Sequence, residues 1–203
     1  MKRLIAAAAF AAVALATPAL AQKVDAVAGT YKLDPAHASV TWKVRHFGLS
    51  NYTARFTKFD ATLDIDPAKP DAAKLAVTID PASIKTDYPN VAKLDFDNLL
   101  ATSEKWFNAG KFPSITFTST EVKATGDSRA KVTGNLTLLG VTKPVTLDVA
   151  IVGAMAAHPF TKKPAIGFTA TGTVKRSDFG MTNQVGMIGD DVTLQIEAEM
   201  IGQ

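Results

Sequence analysis

Three histidines are the chain's whole supply of imidazole, and two of them, His37 and His46, lie in one short stretch, HASVTWKVRHF. Imidazoles that share a face can hold a metal or act as general bases. Here the residues between them alternate, with Val40, Trp42 and Val44 on one side and Ser39, Thr41, Lys43 and Arg45 on the other. That period places His46 with the apolar set and His37 opposite, so a metal shared between them would require a bulge. His158 stands far along the chain, and no zinc-type spacing occurs. The carboxylate pairs Asp64/Asp66 and Asp190/Asp191 fall at strand ends, where solvated charge is ordinary. There is no Gly-x-Ser-x-Gly elbow, no phosphate-cradling glycine loop and no Gly-x-Gly-x-x-Gly fingerprint. Nor is there a cysteine to serve as nucleophile or thiolate ligand. The side-chain chemistry points away from an enzyme, and from any metal or organic cofactor, and toward binding.

Lys2 and Arg3 precede an uncharged run from Leu4 to Ala16, closed by Ala19, Leu20 and Ala21. This is the pattern of a secretory signal peptide cleaved before Gln22, so residues 1–21 are expected to be removed and 22–203 to work in the periplasm. The run is too short to span a bilayer comfortably, and no stop-transfer segment follows it. Without Lys2 and Arg3 the formal charge of +3 falls to +1. No basic cluster interleaved with aromatics remains to follow a phosphate backbone, which excludes a nucleic-acid partner. Lack of cysteine also excludes a disulfide scaffold. Roughly 180 residues suffice for one domain with its own core. A homodimer is compatible with this composition.

These side chains are positioned by segments of period two. Thr30 to Leu33, Ala38 to His46, Tyr52 to Ile65 and Lys74 to Asp80 alternate, and Asp34-Pro35, Gly48, Asp66-Pro67, Lys69-Pro70 and Asp80-Pro81 break them. Val91 to Asn108 instead spaces its apolar residues as in a helix, predicting one or two short helices, with Ser103 and Glu104 suited to starting the second. Alternation then resumes in Ser114 to Lys123, Ala130 to Leu138, Pro144 to Gly153, Ile166 to Lys175 and Val192 to Ile201. Hairpin-length joins carry Gly126 and Gly140, both available for positive φ. Eight or nine strands with one helical insertion imply an all-β antiparallel meander, closed into a barrel or folded as a two-sheet sandwich.

Parity assigns the faces. In the last strand Val192, Leu194, Ile196, Ala198 and Met200 share one side, and Thr193, Gln195, Glu197 and Glu199 the other. Charge outside and apolarity inside is the reverse of a membrane-spanning barrel. The inward set mixes large groups (Trp42, Phe117, Phe168) with small ones (Ala38, Ala54, Ala170, Gly172, Ala198). The small residues either complement bulky neighbours or leave a tunnel, since an eight-stranded barrel has room for either. A filled barrel would suit an envelope protein-interaction module acting through loops near Asp87 to Val91 and Met155 to Lys163.

The segments LDPAHASVTWKVRHFGLS, ARFTKFDATLDID, DPASIKT, KWFNAGKFPSITFTSTEV, VTGNLTLLGVTKPVTLDV, GFTATGTVKRSDFGM and GDDVTLQIEAE occur in this order from about Thr30 to Glu199. Together they resemble the YceI-like, polyisoprenoid-binding family. The resemblance implies a lipocalin-like antiparallel barrel whose long apolar cavity holds an isoprenoid-like lipid, in a protein that carries rather than catalyses. Taken with parity, it implies a ligand-binding set of Val40, Trp42, Val44, His46, Phe56, Leu63, Phe107, Phe117, Leu138, Phe168, Ala170, Val174, Arg176 and Leu194. His46 would either hydrogen-bond within the fold or touch the ligand, and His37 would tie down the strand entrance. Arg176 would pair with a carboxylate of a neighbouring strand or with an anionic head group. NLLATSEKWFN lacks a histidine that many relatives carry there, and Ala54 replaces a common glycine. Both departures leave the head group open.

Overall fold

The structure, a computed structural model, describes residues 26–203, so the expected signal peptide lies outside the described residues. Ten strands and one short helix follow in chain order: β1 (Gly29–His46), β2 (Ser50–Phe56), β3 (Phe59–Ile65), β4 (Lys74–Ile79), β5 (Ile84–Lys85), α1 (Phe96–Thr102), β6 (Ile115–Gly126), β7 (Arg129–Leu138), β8 (Val141–Met155), β9 (Ala165–Lys175) and β10 (Ile188–Gly202). Every ladder between them is antiparallel, and β10 returns to pair with β1, closing the sheet. The closed form, not the sandwich, is the one adopted.

The ten strands make eight staves. β1 pairs its upper half with β2 (Val40 opposite Phe56) and its lower half with β3 (Tyr31 opposite Leu63), so β2 and β3 are one stave broken at Thr57 and Lys58. A 3-10 turn, Pro81–Ser83, fills that break. The buried Ser83 hydroxyl accepts from the amides of Thr57 (3.2 Å) and Lys58 (3.0 Å) and donates to Asp80 O (2.7 Å), so the interrupted backbone keeps its partners. β4 and β5 form the next stave, with β4 on β3 and β5 on β2.

Thr30 to Leu33 and Ala38 to His46 are not separate strands, contrary to the breaker at Asp34-Pro35. Between Leu33 and Ala38 β1 advances five residues while β10 advances two, from Met200 to Ala198. The surplus of three is a bulge, a setting that tolerates a proline inside a strand. An odd surplus also reverses the faces, so Tyr31 and Leu33 point inward below it and Val40, Trp42 and Val44 above it. Asp34 holds the bulge, accepting from the Ala36 amide (2.9 Å) and pairing with His37 Nδ1 (2.8 Å).

Two further expectations change. Ser103 ends α1 rather than starting a second helix: its amide donates to Leu99 O, and turns follow. Asp95 is the N-cap, accepting from the Asn98 amide at 3.0 Å. Gly126 stays in the ladder opposite Arg129 without positive φ, whereas Leu139 (φ 52) and Gly140 (φ 74) form the tight turn between β7 and β8.

The sheet splits at the upper end, where β4 pairs with β6 but β5 does not. Residues 86–114, including α1, cover the split. Leu100 and Ala101 are buried there, Phe107 meets Phe56 edge-on at 5.4 Å, and Phe96 does the same to Tyr52 at 6.0 Å. Asp97 anchors the insert to β5: it accepts from Thr86 N (2.9 Å) and Thr86 Oγ1 (2.6 Å) and pairs with Lys85 Nζ (3.2 Å). Burial pushes its pKa up, but the bonds from Thr86 and Lys85 outweigh that and hold it below the ordinary aspartate value.

A depressed carboxyl stabilises the fold above its unfolded pKa, and the contribution vanishes as pH falls through the folded value. Asp97→Ala should therefore cost about 1–3 kcal/mol at neutral pH by leaving buried Thr86 unpartnered. Urea melts should show the gap to wild type closing below the aspartate range; a gap unchanged from neutral to acid pH would contradict this role for Asp97.

Candidate functional site

The staves enclose a cavity of about 910 Å³ with an almost wholly apolar wall. β10 has 15 residues, about 50 Å along the strand, which at the usual tilt makes a barrel roughly 35–40 Å tall. The cavity runs through that height. At one end, here the upper, its wall includes His46, Tyr88, Leu99, Asn183 and Gln184; at the lower it includes Pro67, Pro70, Asp127, Ser128 and Arg129. Exposed residues stand on the wall at both ends, so it is a bore, not a sealed void.

Every residue of the expected ligand set lies on this wall. Val40, Trp42, Val44, His46 and Phe56 come from β1 and β2, Leu63 from β3, and Phe107 from the insert. Phe117, Leu138, Phe168, Ala170, Val174 and Leu194 come from β6, β7, β9 and β10, with Arg176 just beyond β9. The filled interior of the interaction-module alternative is not what the staves enclose. Sequence reasoning omits part of the wall. Leu75, Val77, Val149 and Ile151 carry the same alternation on β4 and β8 and were open to the parity argument. Tyr88, Asn183 and Gln184 lie in loops and carry no periodic signal.

The small residues serve in both ways. Ala170 and Ala198 stand on the bore wall and keep it wide, whereas Ala54 is buried in the cluster with Trp42 and Phe56 and is off that wall. Gly172 and Gly134 instead receive neighbours. A Cβ on Gly172 would stand 2.6 Å from Leu147 Cδ2, and one on Gly134 would stand 2.6 Å from Thr118 O and run into the Phe117 ring. The Phe117 ring thus packs against β7 at Gly134, where any larger residue would displace it.

Arg176 corrects an expectation. It is 3% exposed and forms no ion pair within 4 Å among the described residues; its guanidinium donates to four backbone carbonyls instead. Nε reaches Gly189 O (2.8 Å), Nη1 reaches Met181 O (2.9 Å) and Asn183 O (2.8 Å), and Nη2 reaches Ile188 O (3.1 Å). Four of the five N–H groups are committed, two to the loop before β10 and two to the first residues of β10. Burial draws its pKa down, and the charge of Asp190 opposes that. Asp190 itself turns to Ser177, accepting from its amide (2.9 Å) and hydroxyl (2.7 Å). The guanidinium also faces the Trp106 ring at 5.9 Å.

His46 is half-buried at the upper end, edge-on to Phe47 at 4.5 Å and tilted against Tyr52 at 6.3 Å. Among the described residues its ring takes part in none of the hydrogen bonds. Trp42 Nε1 and the Tyr52 hydroxyl are likewise buried without a partner. His37 is on the outside, and its pKa is raised by the hydrogen bond to Asp34 and the charges of Asp34 and Glu199. Asp34, His37 and Glu199 offer ligand atoms within 4.8 Å of one another, off the bore. The outer wall carries Lys131–Asp148 (2.6 Å) and Lys175–Asp191 (3.1 Å) pairs, and no helix among the described residues is long and apolar enough to cross a membrane.

The YceI-like domain model matches residues 31–200. Protein YceI of Salmonella arizonae is 41% identical over 181 residues, covering 88% of this chain and 90% of the relative. Among solved structures, BcnA of Burkholderia cenocepacia superposes with a TM-score of 0.70 at 25% identity, covering 82% of this chain and 98% of its own. The Campylobacter jejuni YCEI protein does so at 0.66 and 34%, covering 79% and 91%. A polyisoprenoid binding domain from Saccharophagus degradans shares the fold at 0.62 and 13%, covering 87% and 100%.

Arg176→Met should keep much of the side-chain volume but leave four carbonyls without their donor, destabilising the fold by more than about 3 kcal/mol. Equilibrium denaturation reads this directly. A loss below about 1 kcal/mol would show that the loop supplies other partners.

Proposed function

The chain belongs to the family of YceI-like domains, and from that premise we propose that it binds and carries a long-chain isoprenoid-like amphiphile, of polyprenyl or quinone type, inside the bore. The observation that carries this reading is the bore itself: about 910 Å³, lined along its length by aliphatic and aromatic side chains. A long apolar tail is the ligand that such a wall can desolvate throughout. Burying roughly 300 Å² of tail contributes about 7 kcal/mol before the cost of association.

The contact set is the one on the wall, from Val40 and Trp42 through Phe117 and Phe168 to Leu194. Because the Arg176 donors are largely committed to carbonyls, we assign recognition chiefly to the chain and little to an anionic head. His46, with its ring nitrogens free, is the polar contact at the upper end. Binding of this kind uses no catalytic residue, metal or cofactor. The Saccharophagus degradans domain supports the reading at the level of fold alone. The working unit is residues 22–203, exported by cleavage of 1–21 and acting in the periplasm.

Solvent extraction of protein purified from its native envelope, followed by mass spectrometry, should yield a prenyl-chain lipid near one per protein. Ala170, 7% exposed on the wall, is the place to block the bore. Ala170→Trp should reduce lipid content at least about tenfold while the protein remains folded, since an indole would fill the space of several methylenes. Protein that is repeatedly empty and takes up no prenyl chain, or a blocked variant that loads like wild type, would refute the reading.

A further inference from the structure

The upper end of the barrel exposes apolar side chains in an arrangement the fold does not need. The tip between β1 and β2 carries Phe47, 53% exposed, and Leu49, 88% exposed. Phe47 (φ 50) and Gly48 (φ 72) are the central residues of a tight turn closed by the Leu49 amide on His46 O at 3.0 Å, so the hairpin itself sets the positive φ, as it does at Leu139–Gly140. The loop before β10 packs beside this turn. The Phe47 amide donates to Met187 O at 2.9 Å, and that loop contributes Val185 (44% exposed) and Met187 (52% exposed). The insert adds Val91, Leu94 and Leu99, all exposed.

This surface is continuous with the interior. His46 and Ile188, the neighbours of Phe47 and Met187, line the bore, and Leu99 stands both on its wall and in the open. The other end differs. There the bore is edged by Pro67, Asp127, Ser128 and Arg129, and the exposed Val152, Met155 and Phe160 lie off its wall.

We propose that the upper rim is a bilayer-docking face, with Phe47, Leu49, Val185 and Met187 entering the acyl-chain boundary so that an amphiphile passes between membrane and bore without crossing water. The proposal rests on the reading that the bore holds a lipid chain. A bilayer is the occupant that fits, because the exposed apolar side chains adjoin the mouth of an apolar bore, so that a tail leaving the bore meets apolar surface and not water. With a mature chain of net charge +1, apolar insertion rather than attraction to anionic lipid carries the contact.

The test uses the mature full chain, phosphatidylcholine vesicles and a fluorescent long-chain prenyl alcohol, offered either in the vesicles or in detergent micelles. Phe47→Asn keeps a residue that accepts positive φ, and Leu49→Asp changes an exposed side chain, so both variants should fold. Each should weaken vesicle co-sedimentation about tenfold or more and slow uptake from vesicles in proportion, with uptake from detergent unchanged. Anionic lipid should add little. Wild type that loads from detergent yet neither binds vesicles nor depends on Phe47 and Leu49 would overturn the docking face. A stoichiometric protein held by the same side chains, with no vesicle binding, would overturn it in favour of that partner. Wild type that binds vesicles but takes up no alcohol from either source would instead overturn the carrier reading.

Discussion

The ladder between β1 and β10 runs from Tyr31 opposite Gly202 to His46 opposite Ile188, and it turns a meander into a tube. Without it the first and last staves would each present a full-length unpaired edge, which invites pairing with other chains. The fold concentrates its longest strand at this seam. β1 must hold β10 on one side and both β2 and β3 on the other, so its 18 residues set the register of three partner strands. The bore exists because those registers agree in sending alternate side chains inward.

A hollow barrel forgoes part of the dispersion energy a filled core would gain, since wall side chains lack partners on their inner side. Stability must then reside in the shell. Backbone ladders, the Ser83 patch across the broken stave and the four carbonyls gathered by Arg176 all lie in the shell, not in the bore. The same division explains the glycines. Gly134 and Gly172 let Phe117 and Leu147 pack against neighbouring strands of the shell.

Much of this was legible beforehand because a period of two has one physical meaning. Val40, Trp42, Phe168, Ala170 and Leu194 could be placed on the wall from alternation, and the fold class from the repetition of alternating segments. Arg176 could not be read correctly, because its partners are main-chain carbonyls between Met181 and Gly189, and every residue has a carbonyl. Ser103 was ambiguous for a related reason: a short hydroxyl suits either end of a helix, and the amide bond to Leu99 O decides which. Asp34-Pro35 looked like a break because proline removes a ladder donor, yet a bulge has no need of that donor. The apolar tips of the upper rim are loops, where periodicity is silent and only exposure speaks.

The odd surplus between Leu33 and Ala38 makes β1 a phase shifter. Plain alternation carried up from Tyr31 and Leu33 would present Thr41, Lys43 and Arg45 to the lumen; the odd surplus is what presents Val40, Trp42 and Val44 instead. Loss of one residue at Asp34–His37 would make the surplus even and bring the two apolar sets into step, so the bulge is a device this sequence needs only because its upper and lower halves are written one position out of phase.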